Sequence, residues 1–233
     1  MKQHLINVYI FLIFTSGSIF SQVTSEQIHY GASSLSMAAS DIALPKTSWS
    51  AFVNSAGIVD QQGLTFVASS QSHFSQDFLS HSLFGVQFKN SKYGSFGISF
   101  ENSSVDYSGN NLAAETAIGI HQGISLRSDR NSSFSFGYGL KSYTVDYGSS
   151  AGPSGDGSDG IELGSLNAFG LDVSFLGSLG KRIRVGAKAL NINSPTLGNA
   201  NLATRLPQRS QIGLAYSPYD LVWTTAALNK SVG

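Results

Sequence analysis

From residue 64 onward apolar and polar residues alternate with a period of two, and this constrains the fold more than any other feature of the chain. Phe84, Val86 and Phe88 fall on one face of an extended segment, with Gly85, Gln87 and Lys89 on the other. The pattern returns at Phe96, Ile98 and Phe100, at Ile118, Ile120 and Ile124, and at Phe134, Phe136, Tyr138 and Leu140. It returns again at Phe169, Leu171, Val173 and Phe175, at Ile183, Val185, Ala187 and Ala189, and at Ile212, Leu214 and Tyr216. Segments 64–73 and 219–229 alternate more weakly, which makes about nine strands in all.

Alternation fits a soluble sandwich as well as a barrel, so the composition of the polar face has to discriminate between them. A water-facing strand surface favours Lys, Glu and Thr, yet this face carries Gly85, Gly97, Gly119, Gly123, Gly137, Gly139, Gly170, Gly186 and Gly213. Glycine weakens a strand unless another backbone must approach closely or the sheet must coil sharply. The inner wall of a barrel closed around a plug meets both conditions, and its apolar outer face would then meet lipid. Charged residues make up only 12% of the chain, about half the share of a soluble domain.

Connection lengths give a second test. Short connections are read at 90–92, 128–132, 177–181 and 217–220, and long ones at 102–111, 147–164 and 191–207. Such alternation matches bacterial outer-membrane barrels, with turns in the periplasm and loops outside. The expected class is therefore all-β, an antiparallel transmembrane β-barrel occupying 63–233. Such barrels have even strand counts, so the odd count predicts that this part of the barrel is truncated at its C-terminal end.

Residues 1–21 combine Lys2, an apolar run from Leu5 to Phe14 and a small-residue exit, the pattern of a secretory signal peptide cleaved after Ser21. The run is about half the ~20 residues a membrane helix needs. Residues 22–62 form a periplasmic and plug segment, whose stretch 30–59 does not alternate. Within it Ser48 is read as the cap of a short helix placing Trp49, Phe52 and Val53 on one face. Gly57 is read as its end, in a positive-dihedral conformation. Trp49, Phe52, Asn54 and Gly57 are the plug or gate candidates.

No catalytic residue, metal site or cofactor is assigned. The histidines (His4, His29, His73, His81, His121) lack metal-ligand spacing, and His81 and His121 are read as polar residues facing the lumen. Asp156, Asp159 and Glu162 do not match a twelve-position calcium loop. There is no nucleophile elbow, phosphate loop or basic stripe, and the 14 basic residues balance the 14 acidic ones, so no nucleic-acid partner is expected. Cysteine is absent, which excludes disulfides and thiolate sites.

Residues Gly31, Ala32, Ser34, Leu35 and Met37, followed by Trp49, Phe52, Asn54, Ala56, Gly57 and Ile58, resemble the opening of the PorV/PorQ-like outer-membrane proteins of Bacteroidetes. These belong to the wider FadL-like class of barrels. The chain differs at Ser55, where the family has Pro or Gln, and at Ser36 and Ala38, where Gly is usual. The resemblance implies a barrel of about 14 strands in the full-length protein, an even count. It also implies a non-catalytic role in type IX secretion and surface-protein attachment, with outer-membrane lipid, secreted proteins or secretion-system subunits as partners. The alternative it carries is FadL-like transport of a hydrophobic ligand; a soluble secreted β adhesin is a third reading.

Overall fold

The computed structural model describes residues 30–44, 46–72, 78–90, 92–107, 110–150, 152–155, 158–180, 182–198, 203–219 and 221–232. The predicted leader, His4, His29, His73 and Asp156 lie outside the described residues. Nine strands form one antiparallel sheet: β1 (Leu64–Ser72), β2 (Leu79–Asn90), β3 (Gly94–Tyr107), β4 (Asn110–Ser128), β5 (Ser132–Asp146), β6 (Ser165–Leu179), β7 (Ile183–Leu190), β10 (Gln208–Tyr219) and β11 (Val222–Val232). Each strand pairs with its neighbour in sequence, except that β10 follows β7. Between those two, β8 (Thr196–Leu197) and β9 (Thr204–Arg205) make a small separate ribbon. The all-β antiparallel expectation holds, and the nine strands read from alternation are the nine of this sheet.

Register stacks the apolar positions across strands. Phe84 lies opposite Phe100, Val86 opposite Ile98 and Phe88 opposite Phe96, while Ile98 meets Ile120 and Ile120 meets Leu140. This stacked face points outward: Ile120 is 63% exposed, Leu140 59% and Phe169 71%. The glycine and polar positions midway along the same strands, such as Gly85, Gln87, Gly97, Ser99, Gly119 and His121, are buried. The arrangement inverts that of a soluble domain, whose apolar face forms the core.

The buried face is covered by the chain's own N-terminal stretch. This contains helix α1 (Gly31–Ser36), helix α2 (Ser50–Val53) and a 3-10 helix (Ser55–Asp60). Tyr30, Ile42, Ala51, Phe52, Val53, Ile58 and Leu83 form one apolar cluster. Val67 of β1 and Ala227 of β11 both pack against it. The two edge strands thus meet the same small cluster, so the sheet is strongly curled around the stretch.

One predicted loop is not a loop. β3 runs to Tyr107 and β4 starts at Asn110, so most of 102–111 is a strand hairpin and the expected short and long alternation fails there. Polar contacts sustain it: across the strands Asn102 donates to Thr116 Oγ1 at 2.9 Å and Asn111 to Asp106 Oδ1 at 2.9 Å, and within β3 Ser104 donates to Asp106 Oδ2 at 2.7 Å. Backbone pairing does not require apolar side chains, and polarity alone led to the loop reading.

Candidate functional site

The site the fold creates is the contact between the N-terminal stretch and the inner wall. Phe52 is 3% exposed, with ring centroids 5.5 Å from Tyr30 and 5.4 Å from Trp49. Gly85 of β2 makes room for it, because a Cβ there would lie 2.6 Å from Phe52 Cε2. Gly137 of β5 faces the backbone of Ser55 and Ala56, and a Cβ at Gly186 of β7 would come within 2.5 Å of Ile42 O. Gly123, Gly137 and Gly186 therefore sit where the segment's backbone passes, as the pattern of the polar face leads one to expect.

Asn54 clips the segment to the wall. Its amide donates to Ile42 O at 2.9 Å and to Phe175 O of β6 at 3.1 Å, and its Oδ1 accepts from Ala56 N at 3.1 Å. Further ties follow around the sheet. Gln87 of β2 accepts from Ala51 N at 3.1 Å, Ser174 of β6 accepts from Ala56 N at 3.0 Å, and Ser135 of β5 donates to Ala56 O at 2.9 Å. Gln211 of β10 donates to Ala39 O at 2.6 Å, and Ser40 shares a 2.7 Å hydrogen bond with Thr225 of β11. Each buried backbone group so satisfied removes a penalty of about 1–3 kcal/mol.

Two expectations about this segment need correction. Helix α2 begins at Ser50 with Trp49 at its N-cap, and that residue makes no side-chain cap. Thr47, not Ser48, organises the start: its carbonyl accepts from Ser50 N at 3.2 Å and Ser50 Oγ at 2.7 Å, and its Oγ1 accepts from Trp49 N at 3.4 Å. Gly57 sits within the 3-10 helix and is not among the positive-φ glycines; α2 ends instead at the extended Asn54 (φ −160°). Close approach is what Gly57 permits, since a Cβ there would lie 3.1 Å from Ser50 Oγ.

Beneath the segment lies a buried polar network that linear reading did not assemble. Lys141 of β5 stands 3.8 Å from Glu101 of β3 and 3.5 Å from Asp172 of β6. Asp172 also accepts from Asn191 N at 2.9 Å, and Tyr143 donates to Asn191 Oδ1 at 3.1 Å. His121 of β4 bridges wall and segment through Ser99 Oγ at 2.8 Å and Ser55 Oγ at 3.0 Å. His81 and His121 do face the buried side, each 1% exposed. The Lys188 ammonium lies 5.3 Å from the Tyr30 ring centroid, and burial raises the Tyr30 phenol above its ordinary pKa.

The cavity adjoining Phe52 is only about 10 Å³, lined on one side by Phe52 and Val53 and on the other by His121, Lys141, Asp172 and Lys188. That is room for about one water. Among the described residues no group of three or more metal-ligating side chains occurs. Asp159 instead accepts from Ser154 N at 3.1 Å and Ser154 Oγ at 2.6 Å within its own loop. Comparisons with protein-family models, with characterised proteins and with solved structures find no match.

Proposed function

We propose that the chain is an outer-membrane β-barrel protein of the PorV/PorQ type, a non-catalytic component or accessory of type IX secretion and surface-protein attachment. The observation that carries the membrane part is the inverted sheet, apolar outside and polar within. Neighbouring strands are about 4.8 Å apart, so nine of them present an apolar face roughly 40 Å around. Soluble monomers rarely expose contiguous apolar patches beyond about 300–600 Å². Lipid accommodates such a face, provided the backbone groups are paired within the sheet. The curl that brings β1 and β11 onto one cluster supports a barrel-like arrangement.

The secretion role rests on the resemblance of residues 31–37 and 49–58 to the family's opening. The packing around Phe52 supports a non-conducting scaffold over FadL-like transport, because the cavity beside it is too small and too polar for an acyl chain. Deletion of the gene tests the role. Proteins bearing the type IX C-terminal signal are expected to fail surface display or release, and an unchanged secretome would contradict it.

A further inference from the structure

The two ends of the sheet differ in charge although the chain is neutral overall. Among the described residues the short-turn end holds Lys89, Lys92, Arg127, Arg130, Arg182 and Arg184 against Asp60 and Asp129. The described connections and strand ends at the opposite side hold Asp106, Asp146, Asp159 and Glu162 against Arg205, Arg209 and Lys230. A cleft lies within the basic end. β3 begins at Gly94 and its Ser95 pairs with Gly123, but β4 continues to Ser128 before turning into β5. The β4–β5 hairpin therefore overhangs the β2–β3 turn, and together with Val59, Asp60 and Gln62 of the N-terminal stretch they bound a cavity of about 540 Å³.

One side of this cleft is cationic. Lys89 and Lys92 line it, both exposed, and among the described residues neither enters an ion pair. Asp60, the acidic residue in the lining, is paired with Arg184. The turn is held in place: Asn90 Oδ1 accepts from Lys92 N at 2.8 Å and Tyr93 N at 2.9 Å, and Gln122 donates to Tyr93 O at 2.6 Å. The other side supplies the hydroxyls of Ser125, Ser128 and Ser133. The inward-facing Ser95 and Ser135 also line it; Ile124 and Phe134 add apolar surface, and Phe134 stacks on Phe175 of the outward apolar face at 6.0 Å.

We propose that this cleft holds the phosphate headgroup of an anionic phospholipid, with Lys89 and Lys92 as the charge donors. Ammonium groups and hydroxyls together suit a phosphodiester. Tyr93, 61% exposed, stands where an interfacial aromatic anchors a membrane protein. The continuity from the cleft through Phe134 to the apolar face provides a path for the acyl chains, which selects a lipid over free phosphate. The inference rests on the reading of the outer face as lipid-exposed.

The test is native mass spectrometry of the full chain from mixed micelles holding equal phosphatidylglycerol and phosphatidylcholine. Retention of phosphatidylglycerol is expected to be favoured roughly tenfold or more, from about a fivefold preference per lysine. Lys89→Gln with Lys92→Gln is expected to abolish the preference, while Lys230→Gln at the opposite end leaves it intact. Equal retention of the two lipids, a preference that survives the double substitution, or displacement by soluble glycerol phosphate at equal concentration would each overturn the assignment. Recovery of the protein from cells without detergent would overturn the membrane reading and this site with it. A membrane-integral protein lacking headgroup preference would overturn the site alone.

Discussion

Along β4, Ile118 and Ile120 are 50% and 63% exposed, whereas His121 is 1% exposed and Gly119 is buried. The two faces of one strand thus meet opposite environments, and each is built for the environment a soluble protein would give the other. On the outer face, side chains touch mainly their cross-strand neighbours. On the inner face, wall and N-terminal segment interlock through backbone contacts and buried hydrogen bonds. Substitutions inside should therefore depend on shape and partner, and those outside on polarity alone.

The largest effect is expected from Gly137→Leu. Its side chain would run into the backbone of Ser55 and Ala56, which cannot rotate away. A loss of at least about 4 kcal/mol is expected in urea unfolding from lipid vesicles. Next comes Ile120→Lys on the outer face, with a loss of about 2–4 kcal/mol in the same assay. If that face met water, the change would stay within about 0.5 kcal/mol. Ser55→Ala is expected to cost about 1–2 kcal/mol, because His121 Nδ1 loses its partner in a buried site.

The smallest effect is pH-dependent. Because burial raises the Tyr30 phenol from its ordinary 10.0, the unfolded chain loses this proton first as pH rises. Stability from Tyr30 is fully present below about pH 10 and declines above it. Unfolding midpoints compared at about pH 9 and about pH 11.5 should show a drop that Tyr30→Phe diminishes.

Strand number and facing were legible because a pleated strand reports its two environments in every pair of residues. Glycine recurrence on one face also pointed to close backbone approach, which Gly123, Gly137 and Gly186 display. The Glu101, Lys141 and Asp172 cluster was not legible, since three strands contribute one residue each and only the register brings them together. The 102–111 hairpin was missed for a different reason: its ladder is held by Asn, Ser, Thr and Asp, which read as loop. At Gly57 two physical uses of glycine compete, positive φ and tight packing, and residue identity does not separate them.

The absence of cysteine allows single labels at chosen positions, and spin labels along β4 test the inverted sheet most directly. In lipid vesicles, Ile118→Cys and Ile120→Cys are expected to be accessible to dissolved oxygen and shielded from an aqueous nickel chelate, with Ala117→Cys shielded from both. Ready collision of the chelate with labels at 118 and 120 would contradict a lipid-facing outer surface.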